Sequence, residues 1–167
     1  MTLARSVTHA TGLPAYTETF PALPESVRKA RRLVALAMSA WGLEYLADDA
    51  ALIASELATN AVQHARVANF RVTVVRLEPG RVRVAVIDTR KGTVPATHQA
   101  EPDAEHGRGL AIVAALSRTT GQDPLNWGKR MWADIEDRPP ESHLRHGLRH
   151  TDRRDLGLPD ELTGPEG

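Results

Sequence analysis

The residues best suited to chemistry begin with Glu56 and Asn60, in the run ASELATNAVQHA. They stand four apart, so a helix puts both on one face, and His64 extends the row by another turn. A carboxylate and a carboxamide one turn apart supply hard oxygen ligands that suit a hydrated Mg2+, an ion that keeps several of its waters. The carboxylate can instead orient or deprotonate an attacking hydroxyl or water. Asp88 closes the run RVRVAVID, where a polar stretch begins. A carboxylate there can accept a hydrogen bond from a ligand's exocyclic amine, or simply start the next turn. The third group is His106-Gly107-Arg108-Gly109-Leu110, which leads into an apolar run. Glycines opening a helix let backbone N–H groups approach phosphate oxygens, and the helix terminus favours negative charge. Arg108 adds a charged donor.

Other chemistries lack residues. There is no cysteine, which removes disulfides, thiolate zinc sites and a cysteine nucleophile. No H-E-x-x-H or comparable ligand set occurs, so zinc is not expected. Ser55, Ser117 and Ser142 lack the glycines of a nucleophile elbow. A P-loop G-x-x-x-x-G-K-S/T is absent. Gly107-x-Gly109-x-x-Ile112 misses the last position of a dinucleotide fingerprint and follows a loop.

The elements that must position these groups are legible in the periodicity. Val27, Ala30, Val34, Ala37, Met38 and Trp41 fall at helical spacing, with Pro24 suited to the first turn and Gly42 to a stop. A second helix, capped by Asp48 or Asp49, is predicted to run to about Arg66, with Ile53, Leu57, Ala61 and Ala65 as its apolar stripe. The pattern then switches to period two. FRVTVVRLE (70–78) and RVRVAVID (81–88) read as strands joined at Pro79-Gly80, with Arg81 and Arg83 outward and Val82, Val84 and Val86 inward. Residues 89–106 form a long polar loop of the kind that is often functional. LAIVAALSR (110–118) reads as a short helix and KRMWADIE (129–136) as a last strand. This order predicts an α/β two-layer sandwich, an antiparallel or mixed sheet covered on one face by helices.

Composition sets the outer limits. The chain has 167 residues, and its 21 Lys+Arg balance its 21 Asp+Glu, which argues against a protein that coats nucleic acid or an anionic membrane. No apolar run is long enough to span a bilayer, and MTLARSVTHATGLPAYTETF has no continuous apolar core of a secretion signal. A cytoplasmic protein is expected. Residues 138–167 contain five leucines as their only apolar side chains, with four prolines and four glycines. That composition buries too little to offset ordering entropy, so a mostly disordered tail is expected. The resulting division is a flexible segment 1–14, a domain 15–137 and a tail 138–167.

Taken together, the spaced groups resemble a known family. Glu56-Leu57-x-x-Asn60-Ala61-x-x-His64-Ala65 is similar to the N-box of the GHKL (Bergerat-fold) ATP-binding superfamily. Asp88 resembles its adenine-reading aspartate, the long loop its ATP lid, and Gly107-Arg108-Gly109-Leu110 its second glycine box. The short chain and the closing Gly128-Lys129-Arg130-Met131-Trp132-Ala133 look most like the small ATP-binding regulators of actinobacteria, which resemble anti-sigma-factor serine/threonine kinases. The resemblance covers roughly residues 20–136.

It implies ATP and Mg2+ as cofactors. Asn60 would coordinate Mg2+, Glu56 would be the catalytic base or hydroxyl-orienting carboxylate, and Asp88 would read the adenine amine. Gly107, Arg108, Gly109 and Leu110 would line the phosphates. The implied activity is phosphoryl transfer to a serine or threonine of an anti-sigma-factor antagonist. The implied partners are that antagonist, a sigma factor, or both, without direct nucleic-acid or membrane binding. A homodimer is open, although no heptad seam occurs. Two positions depart from the family pattern: Arg90 stands where Asp-x-Gly is common, and Gly128-Lys129-Arg130 lacks the usual threonine. They motivate the alternative of a non-catalytic module that sequesters a sigma factor or other regulator with weak or no ATP binding.

Overall fold

Alternating valines build the centre of the molecule. In the computed structural model, which describes residues 5–64, 68–89 and 104–137, six strands form a single sheet. They are β1 (Arg5–Thr8), β2 (Pro14–Pro21), β3 (Asn69–Glu78), β4 (Arg81–Thr89), β5 (Thr119–Leu125) and β6 (Gly128–Glu136). The sheet order is β1-β2-β3-β4-β6-β5, and every neighbouring pair is antiparallel. The chain divides into two units, Met1–Asp137 and Arg138–Gly167. The expected tail lies outside the described residues, as do 90–103 of the long polar loop.

Among the described residues three helices accompany the sheet: α1 (Pro24–Ala40), α2 (Ala47–His64) and α3 (Ala104–Leu116). Pro24 starts α1 with a preset φ and no N–H to lose, behind an extended Leu23. The helix ends where Trp41 N–H turns back to Ala37 and Met38 carbonyls and Gly42 takes φ 68°, a left-handed conformation that costs glycine little. A 3-10 turn, Glu44–Leu46, then runs straight into α2. Asp48 and Asp49, expected as caps, lie instead inside the first turn, where carboxylates still favour the helix dipole.

The core is the contact between this helical layer and one face of the sheet. Ala30, Leu33, Val34, Ala37 and Met38 of α1, and Ile53, Leu57, Ala58 and Ala61 of α2, pack against the sheet's buried side chains. Those are Phe70, Val72 and Val74 of β3, Val82, Val84 and Val86 of β4, and Ala133 and Ile135 of β6. Each large side chain sealed there contributes about 1.5–3 kcal/mol. Phe20 and Phe70 close the core near one end, with ring centroids 5.7 Å apart.

The expected α/β sandwich, helices on one face, is the observed one, and its sheet is wholly antiparallel. Two differences concern the periphery. The segment expected to be flexible, 1–14, contributes β1, which pairs Arg5–Thr8 with Pro14–Thr17. Neither β2 nor β5 was expected. In β2 the central residues Tyr16, Thr17 and Glu18 are all half-buried, so no clean alternation shows. In β5 a glycine and a proline interrupt the strand.

Candidate functional site

The site forms where α2 and α3 meet the ends of β4 and β6. Asp88 is the penultimate residue of β4 and only 3 % exposed. Its position depends on Gly128. That residue pairs with Thr89 across the strands, and a Cβ on it would overlap the Asp88 carbonyl oxygen. Without the side chain, β6 closes against β4, and Lys129 N–H donates to Asp88 Oδ1 at 3.0 Å. This contact comes from the backbone of residue 129, so it does not depend on which side chain stands there. Asp88 Oδ2 receives no hydrogen bond among the described residues. A buried carboxylate is costly unless its acceptor sites are filled, so this oxygen suits an amine or water brought by a ligand.

Glu56 and Asn60 lie on one face of α2, both half-buried. Asn60 Nδ2 donates to the thioether of Met131 on β6 at 3.0 Å, which leaves its Oδ1 available as an oxygen ligand. Glu56 makes no hydrogen bond or ion pair among the described residues. Gly109 brings α3 against it: a Cβ there would stand 2.6 Å from Glu56 Oε2. The family resemblance implied a phosphate-lining role for Gly109; the structure adds that its missing side chain leaves room for the Glu56 carboxylate.

Helix α3 begins three residues before Gly107, at Ala104, rather than after the glycines. The amides that a helix leaves free at its start therefore include those of Ala104, Glu105 and His106, while Gly107, Arg108, Gly109 and Leu110 lie further in. Arg108 is exposed and has no ion-pair partner among the described residues; Leu110 is 40 % exposed. Apolar periodicity hid this boundary, because Ala104 to Gly109 contains no run of large apolar residues. Arg90 lies outside the described residues. Arg130 lies on the opposite face of the sheet from Asp88, donating from Nε and Nη2 to Asp123 Oδ2 at 2.9 and 2.6 Å.

That opposite face holds a second buried carboxylate, which sequence reasoning did not single out. Asp134 on β6 is 1 % exposed. Arg83 Nε and Nη2 donate to it at 2.6 and 3.0 Å, and Arg81 Nη2 at 3.0 Å. Burial alone would raise its pKa, but the hydrogen bonds and charge of Arg83, then Arg81, outweigh this and hold it below the usual carboxylate range. Arg83 also stacks 4.0 Å above Trp132, whose ring occupies the space over Gly121. The expected outward arginines are therefore outward and paired. The signal was present: Arg81 and Arg83 on one strand face a single acid at the matching register of the next.

The model of the histidine kinase-like ATPase domain family matches residues 20–123, more than half of the chain, and the chain belongs to that family. Domains of this family bind ATP, usually with Mg2+. No curated protein matches the chain. Among solved structures it is similar to the histidine kinase domain of the blue-light activated histidine kinase from Erythrobacter litoralis EL346, with 20% identity and a TM-score of 0.42. That match covers 70% of this chain and 61% of the other, so the chain spans less than two thirds of that domain's length. No helix among the described residues is long and apolar enough to cross a membrane.

The residues fit the expected cofactor. Mg2+ takes oxygen ligands, is commonly held by one or two protein groups plus phosphates, and keeps waters. Asn60 Oδ1 and the Glu56 carboxylate are oxygen groups with no competing partner among the described residues. No cluster of three or more acidic or histidine side chains that could hold a metal occurs among the described residues.

Proposed function

We propose that the chain is an ATP- and Mg2+-binding regulator of the anti-sigma-factor type, and that it transfers a phosphoryl group to a serine or threonine of an anti-sigma-factor antagonist. The observation that carries this reading is a Glu56 carboxylate without a hydrogen-bond partner among the described residues, with Asn60 one turn on, together with a buried Asp88 whose Oδ2 receives no hydrogen bond among them. Asp88 Oδ2 would accept the adenine amine, while Lys129 N–H fixes the other oxygen and so the carboxylate's orientation. Asn60 Oδ1 would hold Mg2+, which neutralises phosphate charge when bound. Glu56 would take the proton of the substrate hydroxyl as its oxygen bonds to the γ-phosphorus and the β–γ bridging oxygen leaves with ADP. Positioning and charge neutralisation are most of what phosphoryl transfer requires. A sigma factor, the antagonist or both would be the partners, in the cytoplasm.

The test is to incubate the purified chain with labelled ATP, Mg2+ and a cognate antagonist. Transfer that requires Glu56 supports the kinase reading; absence of transfer, with Glu56→Ala and wild type indistinguishable, overturns it. The second reading is a binding module that holds its partner without catalysis. Lys129 in place of a threonine favours it, because one side-chain hydroxyl near the base is missing. Calorimetry with ATP and Mg2+ separates the two: binding that Asn60→Ala or Asp88→Asn abolishes counts against an ATP-free module.

A further inference from the structure

Directly opposite Asp88 on β6 stands Lys129. Residues paired in this way point to the same face of a sheet, with their Cβ atoms about 5 Å apart. Lys129 therefore shares the helix-covered face with Asp88. So does Met131, two residues on, which touches Asn60. The Lys129 side chain is half-buried. Its backbone N–H is engaged, by Asp88 Oδ1, but its ammonium has no hydrogen bond or ion pair among the described residues. Asp88 Oδ2 has no donor among them either.

Two opposite charges thus stand across one rung of the ladder without pairing. Asp134, on the other face, shows the alternative, since Arg83 and Arg81 fill its oxygens. A half-buried cation and a buried carboxylate both gain when each finds a partner. A ligand completes both at once if it carries a donor and an acceptor side by side. Purine edges do. Adenine has its N6 amine next to ring nitrogens, and guanine has O6 next to N1–H, with the N2 amine beyond.

Asp88 alone would separate the two bases. Its oxygen accepts from the adenine amine, whereas guanine sets O6 in that place, acceptor against acceptor. An ammonium beside the carboxylate removes the conflict. It donates to O6 while Asp88 accepts from N1–H and the N2 amine. With adenine, the same ammonium donates to a ring nitrogen beside the amine. We propose that Lys129 and Asp88 together read the donor–acceptor edge of a purine, and that the site takes guanine as well as adenine nucleotides. The inference rests on the nucleotide reading and adds to it a base-reading residue and a second ligand. A phosphate contact is the rival role for Lys129. Register favours the base: Asp88 is the direct neighbour, while Met131, which Asn60 touches, lies about 6–7 Å further along the strand.

The test is calorimetry of the full chain with ATP–Mg2+ and with GTP–Mg2+. Wild type should bind GTP within about tenfold of ATP. Lys129→Met keeps the aliphatic stem and removes the charge. It should weaken GTP about tenfold or more and ATP about threefold or less, because only guanine then sets an acceptor against Asp88. Lys129→Arg keeps a charged donor and should hold GTP within about threefold of wild type. Circular dichroism checks each variant, and Lys129→Gln replaces Lys129→Met should the apolar side chain disturb the fold. The proposal is overturned if wild type binds ATP but disfavours GTP by more than about tenfold. It is equally overturned if Lys129→Met weakens both nucleotides alike, as a phosphate contact would, or neither. In those outcomes wild type still binds ATP. A chain that binds neither nucleotide overturns the nucleotide reading along with this one.

Discussion

Asp88 and Asp134 are both nearly fully buried carboxylates, on strands that pair directly, yet they lie on opposite faces of one sheet. Asp134 is saturated: two arginines supply three hydrogen bonds, and Thr119 Oγ1 adds a long one at 3.4 Å. Among the described residues Asp88 has one backbone donor, on Oδ1, and none on Oδ2. The difference separates structure from site. A carboxylate whose acceptors are filled by its own chain fixes strand register and has nothing left to offer. One that the fold buries but leaves incomplete is stable together with a ligand that completes it. The glycines around them differ in the same way. Gly121 makes room for Trp132, which extends the ionic ladder, whereas Gly128 lets β6 close on β4 beside Asp88.

The largest expected effect tests the saturated member. Asp134→Ala takes the shared carboxylate from Arg83 and leaves Arg81 only Glu78; with both guanidinium groups partly exposed it should cost about 3 kcal/mol of unfolding free energy in urea titrations. A loss under about 1 kcal/mol would make the ladder a surface decoration. Gly128→Ala comes next: its Cβ would meet backbone, which cannot swing away, so a loss of about 1–3 kcal/mol is expected. ATP affinity should fall with it, because Lys129 N–H moves from Asp88. Gly109→Ala meets only the flexible end of Glu56, so its cost in stability should be the smaller of the two.

Asp88→Asn sharpens the contrast from the other side. ATP affinity should drop about tenfold, equivalent to about 1.4 kcal/mol, while unfolding free energy changes by less than about 1 kcal/mol. The opposite pattern, stability lost and affinity kept, would reverse the roles assigned to the two aspartates. The smallest effect is in pH. Asp134 has a folded pKa below its ordinary 3.8. Its pairing therefore stabilises the fold fully above that value, and the contribution is lost as pH falls through the folded pKa. Urea unfolding between neutral and acid pH should show this component in wild type and lack it in Asp134→Asn.

Much of the frame was legible because it depends on short-range periodicity. The i, i+4 spacing of Glu56 and Asn60 put both on one face of α2 whatever that helix packed against. The valines of β3 and β4 specified which sheet face would be buried, since a slip of one residue would expose all of them. Strand β5 was not legible, because its regularity is supplied by β6: Trp132 covers Gly121, and Asp123 accepts from Arg130 and from Trp132 Nε1 at 3.1 Å. The start of α3 was missed because small and polar residues carry no apolar stripe.

The amino-acid sequence alone determined the types of α1, α2, β3, β4, α3 and β6, the sheet face that is buried, and which side chains carry oxygen and charge at the candidate site. Those follow from side-chain chemistry and from the 3.6- and two-residue repeats of the backbone. Tertiary structure decided which polar groups are left unfinished. Asp88 and Asp134 are the same residue type in similar strands, and nothing local distinguishes their acceptors. Only the alignment of β4 with β6 places Arg81 and Arg83 on one aspartate and a single backbone N–H on the other, because hydrogen-bond partners are assigned by register across strands rather than by order along the chain.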